Sequence, residues 1–125
     1  MSANLNESLP IYIRIVEGIK DAILNKDLKE DSQIPSTTYL SKQYNINIAT
    51  VNKAINVLVD EDLVYKKRGI GMFVKVGARK NLIAKRKETF KDYYIKTTLK
   101  EAKRLDLTTE ELQKMVQDAY EEIKD

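Results

Sequence analysis

Isoleucine recurs at four-residue steps near the start of the chain, at Ile11, Ile15, Ile19 and Ile23, with Tyr12, Val16 and Ala22 beside it. That period predicts an amphipathic helix of about four turns. Pro10 fits its opening, since the first helical turn tolerates proline; Arg14, Glu17, Lys20 and Asp21 fall on the water side. Residues 1–9 read as a short lead ahead of it. A polar connection over residues 25–31 comes next, with Leu28 as its anchor, and then Ile34-Pro35, extended because the residue before proline avoids the helical region. Ser36 is placed to cap a short helix to about Tyr44 that turns Leu40 and Tyr44 inward. Asn45 supplies a turn, Ile46 plugs the angle, and Asn47 caps a second helix to about Glu61. In that helix Val51, Ala54, Ile55 and Leu58 make an apolar stripe, and Ala49, Asn52, Lys53 and Asn56 a small polar face opposite.

The pattern then changes period. Leu63 to Lys67 and Met72 to Val76 are two β-type runs, joined through Arg68-Gly-Ile-Gly71, whose glycines give a tight connection its freedom. A lone hairpin is marginal, so it must lean on the helices, with Val64 and Phe73 as the expected contacts. From Arg79 to Leu105 the chain is lysine-rich and helix-favouring, without proline or glycine; Phe90, Tyr94, Thr98, Ala102 and Leu105 lie on one face. Thr108 and Glu111 then form a capping box for a last helix with the stripe Leu112, Met115, Val116, Ala119, Tyr120 and Ile123.

Two short helices across a polar turn, with a basic glycine-tipped hairpin after them, are the anatomy of a winged helix-turn-helix. The expected fold is α+β: a winged helix-turn-helix DNA-binding domain over residues 10–77 and a short two-helix dimerisation region over residues 78–125.

Charge strengthens that expectation. The formal net charge is only +3, yet Leu63 to Lys91 hold ten basic residues against one acid, Glu88. Such a concentration suits a polyanion, because each neutralised phosphate releases condensed counterions. The absence of cysteine excludes disulfides and thiolate metal sites, and the absence of histidine removes the usual general base and commonest metal ligand. No catalytic constellation remains, and no metal or cofactor is called for. No apolar run approaches the ~20 residues of a membrane span, and the N-terminus lacks the pattern of a signal peptide. A cytoplasmic protein is expected.

The Gly-Ile-Gly lies between strands and lacks the rest of a nucleotide-binding loop. The acids of Asp60-Glu-Asp62 read as a solvated helix end, and the seven tyrosines as core or interface residues.

For DNA, Ser36, Thr37, Thr38 and Thr50 can donate hydroxyl hydrogen bonds to phosphates at helix N-termini. Asn47 and Ala49 flank the start of the reading face, while Asn52, Lys53 and Asn56 can reach base edges or phosphates. Lys67, Arg68 and Gly69 form the wing contact, with Arg68 suited to a narrow minor groove. Phe90, Tyr94, Leu105, Leu112, Met115, Val116, Ala119, Tyr120 and Ile123 are the expected homodimer contacts. Pairing across a two-fold axis would set two reading helices about one DNA turn apart.

Pro10-Ile-Tyr12, Ile34-Pro-Ser36, Ile46-Asn47 with Thr50-Val51 and Ala54, and Arg68-Gly-Ile-Gly-Met-Phe-Val74 together resemble the DNA-binding domain of the GntR family of bacterial transcription regulators. The short helical tail is similar to the YtrA-type subfamily, which implies a small dimerisation region, no large effector domain and, often, control of transporter operons. Against the family pattern, Thr38, Ile48 and Asn52 stand where arginines are common, Asp62 where glycine is usual, and Met72 where threonine is. Fewer arginines imply weaker guanine readout and an A/T-leaning operator. The resemblance implies an operator-binding regulator, with repression by promoter occupancy as the expected mode and an unidentified effector left open. The alternative is a winged-helix protein-interaction adaptor without operator-specific DNA binding.

Overall fold

The computed structural model describes residues 9–123; apart from Leu9, the lead expected over residues 1–9 lies outside them. Helix α1 (Ile11–Leu24) begins directly after Pro10, whose carbonyl accepts from the Arg14 N–H at 3.1 Å. Its stripe, Ile15, Val16, Ile19 and Ile23, is buried. Helix α2 (Thr37–Tyr44) starts at the Ser36 cap and stops at Asn45, which takes the left-handed conformation at φ 55°. Asparagine tolerates that region better than most residues do. Helix α3 (Ile48–Asp60) is capped by Asn47 and buries Val51, Ala54, Ile55 and Leu58. Ile46 packs against the same core, so it does fill the angle between α2 and α3.

Strands β1 (Val64–Lys67) and β2 (Gly71–Val74) pair antiparallel, with Val64 opposite Val74 and Tyr65 opposite Phe73. Alternation along a strand sends successive side chains to opposite faces. Val64 and Val74 are buried, and Met72 packs against the core from the same side. The expected core contact at Phe73 is therefore corrected: it lies on the other face, its ring 6.0 Å from that of Tyr65.

The chain divides into two compact units, the first ending at Ala84 and the second starting at Lys85. Helix α4 (Ala78–Thr89) contributes Ala78 and Leu82 to the first unit's core, and the Arg79 Nε–H donates to the Leu24 carbonyl at 2.9 Å. The helix after the wing thus opens as part of the DNA-binding unit's packing.

In the second unit the expected single helix to Leu105 is interrupted. Phe90–Ile95 form a π-helical turn, and α5 (Lys96–Arg104) continues the chain beyond it. A π-turn accommodates one extra residue, so the side chains of α5 are rotated by about 100° relative to an unbroken α-helix. The single face predicted from Phe90 to Leu105 is broken there, and Tyr93 joins the aromatic group, its ring edge-on to Tyr94 at 5.1 Å. Helix α6 (Thr109–Glu122) has both halves of the predicted capping box: the Glu111 N–H donates to Thr108 Oγ1 at 3.1 Å, and the Thr108 N–H to Glu111 Oε1 at 2.9 Å.

Candidate nucleic-acid interface

The start of α2 is built by one side chain. Ser36 Oγ accepts from the Tyr39 N–H at 3.0 Å, which leaves its own O–H available to donate outward. The first N–H groups of a helix lack intrahelical acceptors, and at α2 these belong to Thr37, half-buried, and Thr38, exposed.

At α3, Asn47 Oδ1 accepts twice from Thr50, from the backbone N–H at 3.0 Å and from the hydroxyl at 3.1 Å. The Thr50 hydroxyl proton is therefore engaged in the cap, and a donor bond to phosphate requires it to rotate. Further along, Ala49, Asn52, Lys53 and Asn56 are all exposed, opposite the buried stripe. Lys53 is not a loose surface lysine: its Nζ lies 4.1 Å from the centre of the Tyr12 ring in α1. A cation over a ring face is attracted by the ring's quadrupole. Tyr12 thus orients a candidate contact residue, a role that sequence spacing did not expose.

The wing carries exposed Lys66, Lys67 and Arg68. Lys67 Nζ sits 4.2 Å from the Phe73 ring centre and 5.9 Å from that of Tyr65, so the aromatic pair on the outer face supports the cation. Arg68, Gly69 and Ile70 form the tip, closed by the Ile70 N–H to the Lys67 carbonyl at 3.0 Å, with Gly69 at φ 77°. A β-carbon there would be strained, since this left-handed backbone is one that most residues avoid. Two other basic residues of the segment serve the fold: Lys75 pairs with Asp62, and Arg79 binds the Leu24 carbonyl. Asp62 stands at φ 63°, which accounts for glycine being usual at that place in the resembled family.

The predicted wing and helix residues are thus gathered in one unit. The contribution of the loop before α2 was not visible in the sequence. Asp31 Oδ1 accepts from the Tyr65 hydroxyl at 2.9 Å, which raises the tyrosine's pKa by favouring its protonated form. The Gln33 side-chain amide donates to the Ile70 carbonyl at 3.0 Å.

The predicted dimer contacts lie in the second unit. Met115, Val116, Tyr120 and Ile123 are between 55% and 78% exposed, as are Phe90, Tyr94 and Leu105 within that range or just below it. Leu112 is half-buried and Ala119 exposed. Tyr93, Ile95 and Leu99 are further exposed apolar residues that the unbroken-helix reading did not single out. Among the described residues no cluster of three or more potential metal ligands occurs, and no helix is long and apolar enough to cross a membrane.

Comparison with known proteins agrees with this geometry. The model of the gntR family of bacterial regulatory proteins matches residues 11–74, more than half of the chain. The HTH-type transcriptional repressor NagR of Bacillus subtilis is 38% identical over 74 residues, which cover 59% of this chain and 30% of that protein. An arabinose metabolism transcriptional repressor of Halalkalibacterium halodurans is 40% identical over 62 residues, 50% of this chain and 16% of that one. The chain thus spans about a third or less of the curated relatives it matches. A GntR-family regulator from Bacteroides thetaiotaomicron superposes with a TM-score of 0.72 at 30% identity, covering 90% of this chain and 97% of the other. The DNA-binding domain of AraR, solved in complex with operator ORR3, matches 53% of this chain and covers 80% of that one, with a TM-score of 0.51 at 35% identity. On the strength of the capped helix pair, the basic wing and these matches, the chain belongs to the gntR family of bacterial regulatory proteins, with residues 11–74 as its DNA-binding winged helix-turn-helix.

Proposed function

We propose that this chain is a cytoplasmic, homodimeric repressor of the YtrA type that occupies an inverted-repeat operator. The observation that carries the DNA reading is the exposed face of Ala49, Asn52, Lys53 and Asn56 on α3, in the same unit as the Lys67–Arg68–Gly69 wing. Ser36, Thr37, Thr38 and Thr50 position the phosphate backbone, with Asn47 holding the start of α3. Asn52, Lys53 and Asn56 read the major groove, where asparagine suits adenine and lysine suits guanine or phosphate. Arg68 enters the adjacent minor groove, which favours A/T-rich flanks.

The homodimer reading rests on apolar surface and charge. No residue of α6 is buried in the chain, although its stripe has the period of a packed helix. Between Lys85 and Arg104 there are eight basic residues against three acids; from Thr109 to Asp125 there are six acids against two basic residues. A second copy offers the terminal helix both an apolar partner and an opposite charge. Its relatives' names support repression as the outcome.

The test is selection of bound sequences from random duplex DNA at stated salt, with base-by-base profiling of the selected sites. An inverted repeat with half-sites about one helical turn apart is expected. Enrichment without symmetry would remove the dimer from the reading, no enrichment would favour the adaptor alternative, and half-sites dominated by G·C pairs would sink the A/T preference.

A further inference from the structure

The wing is held to the rest of its unit by residues 31–34, a segment running along β2 in the manner of a third strand. The Asp31 N–H donates to the Val74 carbonyl at 2.8 Å, the Val74 N–H to the Ser32 carbonyl at 2.9 Å, and the Ile34 N–H to the Met72 carbonyl at 2.9 Å; Gln33 bridges Phe73. This backbone ladder ends at Met72. Beyond it the tip, Arg68, Gly69 and Ile70, is tied to the strands through the Lys67–Gly71 pair and the Ile70 N–H bond to the Lys67 carbonyl.

A single side chain reaches past the end of the ladder. Gln33 extends along the hairpin, and its amide donates to the Ile70 carbonyl at 3.0 Å. The fit is close: a β-carbon built on Gly71 would stand 2.5 Å from Gln33 Nε2. Gly71 stands at φ 146°, a backbone that favours glycine, and its bare Cα leaves room for the Gln33 side chain beside it. Three residues after Gln33, Ser36 caps α2, so the segment that fixes the tip also delivers the N-terminus of α2.

We propose that Gln33 is a positioning residue for DNA binding: its bond to the Ile70 carbonyl holds the Arg68–Gly69 tip at a set place relative to the N-terminus of α2. The proposal rests on the DNA-binding reading for its consequence and on the wing's geometry for its cause. A tip held in place before binding loses less freedom on engaging DNA, so affinity gains by preorganisation.

The test uses Gln33→Met, which keeps side-chain length and neutral charge but removes the donor. Measurements on the full chain are thermal unfolding, hydrogen exchange of residues 68–73, and operator affinity against salt, alone and combined with Arg68→Ala. The expected result is an unfolding midpoint lowered by no more than a few degrees, faster exchange in the tip and operator binding weaker by up to about fivefold, the scale of one net hydrogen bond. The salt slope should fall toward that of Arg68→Ala, and Gln33→Met should add nothing once Arg68 is gone. Two results would overturn the proposal: fully additive losses with Arg68→Ala, which would make Gln33 an independent contact, or tip exchange unchanged from the parent protein. If the parent chain retains no operator at all, the regulator reading fails separately, and the exchange measurement still decides whether Gln33 anchors the tip.

Discussion

In the first unit the apolar stripes of α1 and α3 are covered: Ile15, Ile23, Val51 and Leu58 are at most 1% exposed. In the second, α6 carries an equally regular stripe and buries none of it. The two stripes look alike as sequence, since both keep the helical period. Periodicity says that a face is destined for cover; it does not say whether the cover comes from the same chain. The first unit supplies its own, from α1, α3, the wing's inner face and the opening of α4. The second leaves an apolar surface flanked by charge of one sign on α5 and the other on α6, the feature on which the proposed homodimer rests.

The largest expected effect separates the units by stability. Leu58→Ala removes a fully buried side chain at the centre of the first unit and should cost about 2–5 kcal/mol, read by urea unfolding. Tyr120→Ala, on the exposed stripe, should leave unfolding of the first unit within about 0.5 kcal/mol of the parent. Equal losses from the two substitutions would break the comparison, because they would show α6 sharing the first unit's core.

The next effect concerns assembly. The pair Val116→Lys and Tyr120→Lys should convert a dimer to a monomer in sedimentation equilibrium. Loss of the second half-site should then weaken operator binding by about a hundredfold or more, since two linked sites gain that much over one. A dimer that survives both lysines would place its interface elsewhere.

Legibility in the sequence divides along similar lines. The caps at Ser36, Asn47 and Thr108, the turn at Asn45 and the buried stripe of α3 are local features, each set by a few neighbouring residues, and all stand as expected. Long-range and phase-dependent features escaped. An apolar residue in a wing strand suggests a core contact at Phe73, yet the register with β1 turns it outward to Tyr65 and Lys67. The π-turn at Phe90–Ile95 breaks the helical phase without any proline or glycine to announce it. Gln33 and Ile70 are 37 positions apart, as Tyr12 and Lys53 are 41, and no periodicity links such pairs. The candidate residues and the caps beside them were thus legible, whereas the distant side chains that hold them, Tyr12, Gln33 and Phe73, were not.

A smaller effect tests the reading face within the first unit. Asn52→Ala sits on the exposed side of α3 and touches none of the buried stripe. It should leave stability unchanged, weaken operator binding by about 1–3 kcal/mol and relax discrimination at one base pair, as measured against a panel of single-base operator variants. A uniform loss across the panel would reassign Asn52 to a phosphate contact.

The smallest effect is a difference in acid sensitivity between the units. The caps of the first unit, Ser36 and Asn47, carry no titratable group. The cap of α6 does: the Thr108 backbone N–H, and then its side chain, hold the Glu111 carboxyl below the ordinary glutamate range. A carboxylate whose pKa is lower folded than unfolded contributes stability in full above its unfolded value and loses it as pH falls through the folded one. Acidification through the glutamate range should therefore loosen α6 before it loosens the first unit, visible as earlier hydrogen exchange in residues 109–122 than in α1 and α3. Glu111→Gln keeps an acceptor for the Thr108 N–H but cannot titrate, so it should flatten that acid response at the start of α6. If both units loosen together, and the glutamine variant behaves as the parent does, the α6 cap is not what governs its acid response, and the second unit draws its stability from contacts the cap does not control.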